Sequence, residues 1–259
     1  MITTMRPRLL ALAAAALLAG CGADSSVSPN TTPTSLDQVF REMSLPAVSG
    51  ATTAAAGFSG PTAPLGTSVP TGCSYALASQ SFVCAPITAS GITITQSYTL
   101  LNGSGGPLAF FDATSLAAVR MQGTITGTET TADGTFTIDG RQDQTLSGLR
   151  TSKHVLNGTT TMNLSGTFGV GTASAQPVII GIKSTTTDLV VPANPGANAY
   201  PASGTIGIDE TIALAGLPSV TSRIVLTFNG TSKVKITING ASISGCSTID
   251  LASTTPGCS

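Results

Sequence analysis

Few side chains in this sequence have the type and spacing for chemistry: a lone histidine, a knot of acidic residues, a pair of lysines and five cysteines. His154, in Arg150-Thr-Ser-Lys-His-Val-Leu, would have to be the base of any Ser-His-Asp triad. No G-x-S-x-G elbow accompanies it. One histidine also removes every multi-histidine metal site. Beside Lys153 and ahead of Asn157-Gly158, it reads as a surface strand residue. Glu129, Asp133, Asp139 and Asp143 gather around one expected hairpin. Paired carboxylates there would suit glycoside hydrolysis, and oxygen ligands would suit calcium. Asp133 and Asp139 each precede a glycine, however, where turn formation accounts for them, and the D-x-D-x-D-G loop is missing. Lys233 and Lys235 alternate with Val234 and Ile236 near Arg223. They read as outward charges that blunt a sheet edge, with a small anion-contacting patch as the alternative. Gly103 to Gly106 is followed by no Lys-Ser/Thr and opens no helix, so it is not a phosphate loop. No catalytic residue, metal site or cofactor is expected.

Cys21 belongs to a different pattern. Arg6 and Arg8 are the only charges before Asp24, and Leu9 to Leu18 is an unbroken run of Leu and Ala. This has the form of a secretory signal over residues 1–20. The run is too short to cross a bilayer as a helix, which takes about 20 residues. Leu17-Leu18-Ala19-Gly20-Cys21 resembles the lipobox of bacterial lipoproteins. The resemblance implies that the Cys21 thiol is S-acylated with diacylglycerol and that the signal is cut just before it. An ordinary secretory signal cut near Ala19 or Ala23 is the alternative. Two or more acyl chains give stable attachment where one binds marginally. Residue 22 is Gly. In lipoproteins of the enterobacterial type, Asp at that place keeps the protein in the inner membrane. A lipid-anchored envelope protein is therefore expected, in the outer membrane if the source is a diderm bacterium.

The other four cysteines, Cys73, Cys84, Cys246 and Cys258, allow three connectivities. Cys73–Cys84 with Cys246–Cys258 is simplest, because each bond closes a short loop near one end of the body. Each is worth roughly 3 kcal/mol in the chain-entropy model. Export makes oxidation reasonable, and no C-x2-C spacing supports zinc. The pairing leaves Cys21 as the odd thiol.

Composition narrows the partners. The chain has 11 Lys+Arg and 12 Asp+Glu; without Arg6 and Arg8 the balance is 9 − 12 = −3. With no basic patch, nucleic acid is not an expected partner. Charged residues make up 9% of the chain, against about 25% in ordinary domains. Threonine, serine, glycine and alanine take their place, as suits an extracytoplasmic β-protein with threonine-rich outer faces. Aromatics, at 4%, are too few for a sugar-stacking platform.

Residues 21–34 are Ser/Thr/Pro/Asn/Gly-rich and read as a lipidated flexible tether. Ser35-Leu36-Asp37-Gln38 fits a capping box, and Leu36, Val39, Phe40 and Met43 form an apolar helical stripe that Pro46 ends. Residues 35–72 are thus a short amphipathic helix and an irregular Ala/Thr/Gly/Pro-rich segment. From Cys73 onward the period is two. Ile92, Ile94, Tyr98 and Leu100 share a face, and so do Val178, Ile180 and Ile182 and then Ile206, Ile208, Ile212 and Leu214. Thr, Ser, Lys and Gln lie between, giving one dry and one wet face. Asn102-Gly103, Asp133-Gly134, Asp139-Gly140, Asn157-Gly158, Asn229-Gly230 and Asn239-Gly240 are six hairpin-type dipeptides. Ser115 to Arg120 has a faint helical spacing, and Asn194 to Pro201 is a break that would separate two sub-sheets. Asn157-Gly-Thr and Asn229-Gly-Thr, each with an alternating tail, echo one another through shared turn-plus-strand chemistry.

The expected fold is mainly β: a curved antiparallel meander, half-barrel or sandwich, over residues 73–259, preceded by one short helix. That element order resembles the lipoprotein-carrier type of fold, whose concave face binds acyl chains. The function expected is non-catalytic: an envelope lipoprotein holding an apolar ligand or a protein partner, anchored to membrane lipid through acylated Cys21. A structural or adhesive surface module is the alternative, and a hydrolase the third.

Overall fold

The computed structural model describes residues 72–89, 91–131, 134–168, 176–192, 200–216, 218–240 and 247–251. All lie within one compact unit, Pro61–Ser259. Cys21, Cys246, Cys258, the tether and the helix expected from Ser35 fall outside the described residues.

Among the described residues there are thirteen strands and no helix, so none crosses a membrane as a helix. The strands are β1 (Cys73–Ala76), β2 (Ser81–Cys84), β3 (Ile87–Ala89), β4 (Ile92–Asn102), β5 (Pro107–Leu108), β6 (Leu116–Thr131) and β7 (Gly134–Ser147). They continue with β8 (Lys153–Phe168), β9 (Gln176–Pro192), β10 (Ser203–Leu214), β11 (Val220–Phe228), β12 (Lys233–Ile238) and β13 (Thr248–Asp250). All pair antiparallel in one open, curved sheet. Its order is β1-β2-β4-β6-β7-β8-β9-β10-β11-β12-β13, with β3 and β5 also on β4. β9 pairs directly with β10 across the Asn194–Pro201 break, so the sheet is continuous there. The meander expected from the period of two is present; its division into sub-sheets is not.

The dry face holds the core, and its residues meet in rows across the strands. Leu100, Val119, Leu146, Leu156 and Leu189 are successive register partners, and all five are buried. Towards the C-terminal end, Ile208 faces Ile224, Leu226 faces Ile236 and Val234 faces Ile249. Full burial of each such side chain contributes about 1.5–3 kcal/mol. At the other end Phe82, Leu100, Leu116 and Val119 form a cluster flanked by Tyr75 and Cys73. The Tyr75 and Phe82 rings meet edge to face, 5.2 Å between centroids. The disulfide Cys73–Cys84 closes the β1–β2 hairpin there, joining register partners as the cysteine spacing suggested.

Three of the six hairpin dipeptides follow strand ends: Asn102-Gly103, Asn229-Gly230 and Asn239-Gly240. Gly134 opens β7, and Asp133 lies outside the described residues. Asp139-Gly140 and Asn157-Gly158, expected as turns, instead sit inside β7 and β8. Close approach accounts for their glycines. A Cβ on Gly158 would lie 2.3 Å from the Asp143 carbonyl oxygen, and one on Gly140 would lie 2.6 Å from Ile125 Cγ2. The echo between Asn157-Gly-Thr and Asn229-Gly-Thr therefore joins a mid-strand irregularity to a loop and marks no duplication.

That irregularity creases the sheet. The β8–β9 register shifts between Leu156 and Gly158, and the β9–β10 register shifts between Ser203 and Thr205. Asp188 lies between them with φ 48°. The Asn157 side chain holds it in place: Oδ1 accepts the Asp188 N–H at 2.7 Å, and Nδ2 donates to Asp188 Oδ1 at 3.2 Å. An extra residue bends its strand and increases the local twist. The helical spacing at Ser115 to Arg120 is likewise one turn and then β6. Leu116 N–H bonds back to the Asp112 carbonyl at 2.8 Å, and the chain then extends.

Candidate functional site

The wet face disperses the expected chemistry. Asp139 and Asp143 are four residues apart on β7, which separates them by about 13 Å along the strand. Asp143 is held by Arg120, with Nε donating to Oδ1 at 2.7 Å, and Gln122 Nε2 donates to Oδ2 at 3.2 Å. The Arg120 guanidinium keeps the Asp143 carboxyl below the usual carboxylate range. Asp133 and the Glu129 side chain are outside the described residues. No group of three or more His, Cys, Asp or Glu among the described residues is placed to hold a metal. Asp112 has its carboxyl pulled down to about 2, first by the Ser115 hydroxyl and then by Thr114, in its role as a turn cap.

Lys233 and Lys235 are exposed, as alternation requires, but β12 is not the edge. β13 pairs with them, placing Asp250 opposite Lys233 and Thr248 opposite Lys235. Arg223 pairs instead with Asp209 at 3.2 Å.

The dry face is not uniformly apolar. Gln96, Gln142, Thr160 and Ser184 occupy one row across it, with Gly123 between the first two. Among the described residues, four buried polar atoms lack a hydrogen-bond partner: Gln144 Oε1, His154 Nδ1, Glu210 Oε2 and Ser222 Oγ. All four belong to dry-face positions of their strands. His154, expected at the surface, is only 8% exposed and sits opposite buried Val191. Even position 154 shares the face of Leu156, and burial lowers the imidazole pKa, favouring the neutral ring. Gln144 keeps one bond, from Nε2 to Thr160 Oγ1 at 3.3 Å.

Glu210 is the most buried of the four, at 3% exposure, and Ser222, at 5%, is its register partner on β11. Burial raises the Glu210 carboxyl to about 7. Its other register partner is Ile182, and the same row runs on through Met162, Gly140 and Ile125 to Ile94. Ile182, Met162, Ile125 and Ile94 are only partly buried. The row is therefore a partly exposed aliphatic strip that ends at two buried, unpartnered polar groups.

No family model, curated protein or solved structure matches this chain. The site has to be read from its own geometry. Sequence reasoning missed Glu210, which lies far from the acidic cluster at residues 129–143 and has only Asp209 beside it. The signal was present: in Ile206-Gly-Ile-Asp-Glu-Thr-Ile212, Glu210 occupies a dry-face place between Ile208 and Ile212. Ser222, two residues before Ile224, breaks the pattern in the same way. Cys21, Cys246 and Cys258 are not placed, and Cys73 and Cys84 are used in the disulfide.

Proposed function

We propose that this protein is a non-catalytic envelope lipoprotein, anchored through acylated Cys21, whose curved sheet holds an apolar ligand on its dry face. The observation that supports ligand holding is the partly exposed aliphatic strip of Ile94, Ile125, Met162 and Ile182. A filled core would bury such a row, whereas these side chains stay partly open to solvent. Ligand sites combine apolar surface with a few fixed polar groups, and this strip ends at two such groups, Glu210 and Ser222. The outermost strands are short, four residues in β1 and three in β13, which gives little edge for an adhesive partner to extend. That favours the ligand reading over a surface adhesin.

Anchoring rests on the Leu17–Cys21 pattern. Labelling cells with a fatty-acid probe should mark the wild-type chain and leave Cys21→Ser unmarked; equal labelling of both refutes the anchor. For the ligand, solvent extraction of the purified protein followed by mass spectrometry should yield an amphiphile that Ile182→Asp no longer retains. An extract empty of amphiphiles for both chains, together with no uptake of added ones, refutes ligand holding.

A further inference from the structure

Glu210 and Ser222 say more than that a ligand binds, because each is a polar group with no partner in a place where water is scarce. The side chains flanking Glu210 on its face are Ile182 and Ser222 across the strands and Ile208 and Ile212 along its own strand. None is charged. Lys183, Asp209 and Arg223 belong to the neighbouring positions and, by the alternation of strands, face the other way; Arg223 is engaged with Asp209. The carboxyl thus has no countercharge on its own face among the described residues. Ser222 Oγ stands opposite it, also without a partner. Two unsatisfied groups on facing register positions call for one group that satisfies both.

The aliphatic strip sets what carries that group. From Ile94 on β4 to Glu210 on β10 the row crosses six neighbouring strands, a span of roughly 24 Å at the usual inter-strand spacing. On one side lies the buried aliphatic row that includes Ile138, Leu164 and Ile212, and on the other the polar row that includes Gln96, Gln142 and Thr160. A long aliphatic body laid along the strip brings its head to Glu210 and Ser222.

Resting on the ligand-holding reading above, we infer that the ligand is an amine-headed amphiphile, with its aliphatic chain along the strip and its ammonium between Glu210 and Ser222. An ammonium has three donors and no acceptor, so it supplies a bond to Glu210 Oε2 and another to Ser222 Oγ. It also brings the charge that the buried carboxylate lacks, and charge-assisted bonds are about twice as strong as neutral ones. A hydroxyl head satisfies the geometry without the charge. A carboxylate head sets two like charges together.

Calorimetric titration with dodecylamine, dodecanol and dodecanoate tests this, using the full chain with Cys21→Ser at pH 8, each probe below its micellar concentration. Dodecylamine should bind at least about tenfold tighter than dodecanol, a difference of about 1.4 kcal/mol, and dodecanoate weakest. Glu210→Gln should remove the preference for the amine over the alcohol. Ser222→Ala, a smaller change and the second variant should Glu210→Gln fail to fold, should narrow the preference several-fold. Equal amine and alcohol binding in the parent chain, or an amine preference that survives both variants, overturns the ammonium assignment and leaves ligand holding in place. No binding of any of the three overturns both.

Discussion

The two faces of this one sheet treat polar groups in opposite ways. On the wet face the chain satisfies them locally: Arg120 with Asp143, Asn157 with Asp188, and Thr95 with Thr124, whose hydroxyls lie 2.7 Å apart. Each such contact is close to solvent, so making or losing it changes little. On the dry face Gln144, His154, Glu210 and Ser222 are buried and incompletely partnered. A buried group without a partner costs about 1–3 kcal/mol, more if charged. The same strands carry both faces, so the contrast is not a matter of backbone. It arises because period two sends Glu210 inward and Asp209 outward. The wet face is a surface that must only stay hydrated, whereas the dry face carries groups whose cost points to a use.

The largest effect should come from the aliphatic part of that dry face. Leu226 is fully buried, and Leu226→Ala should lower stability by about 3–4 kcal/mol through lost burial and the cavity left behind. Its exposed neighbour Thr227 points to the wet face, and Thr227→Ala should change stability by less than about 0.5 kcal/mol. Urea denaturation of both variants checks the contrast, and similar losses at the two positions would break it.

Next comes the polar part of the dry face. The Glu210 carboxyl is raised to about 7 from an ordinary 4.5. The folded protein therefore keeps a proton that the unfolded chain has released, and stability falls as pH rises from 4.5 through 7. Below 4.5 both states are protonated and the group costs nothing through ionisation. The shift corresponds to about 3 kcal/mol once pH exceeds 7. Glu210→Gln should thus stabilise the protein by about that amount at pH 8 and hardly at all at pH 4, as read by urea midpoints at both values. A gain of the same size at both pH values would show that ionisation is not the cause.

The smallest effect belongs to the wet face. The Arg120 and Asp143 side chains are 45% and 41% exposed, so Arg120→Ala should cost under about 1 kcal/mol, and less in high salt. A loss of several kcal/mol, insensitive to salt, would erase the distinction between the faces.

The sequence showed the faces more clearly than the site. Alternation from Ile92 to Leu100 and from Ile206 to Leu214 places the strands and their dry side, because a period of two has one reading in a half-buried sheet. The cysteines, eleven residues apart, mark the Cys73–Cys84 hairpin. Turn dipeptides were less decisive. Asn157-Gly158 and Asp139-Gly140 have the chemistry of a tight turn, but the same glycines admit close neighbours within long strands. Local sequence does not distinguish the two uses, since the neighbour that crowds Gly158 comes from β7. His154 misled for a related reason: Lys153 beside it suggests solvent, yet adjacent strand residues face opposite ways. Glu210 was legible only as an interruption of an aliphatic pattern. Its partner positions, Ile182 and Ser222, are fixed by register across strands, which no single stretch encodes.

The most direct test of the dry-face account is the titration of the Glu210 carboxyl carbon, followed by NMR and assigned by its loss in Glu210→Gln. A midpoint near 7 in the free protein is the predicted result, and a midpoint near 4.5 would mean that the carboxyl is hydrated and that the aliphatic strip has no buried polar end.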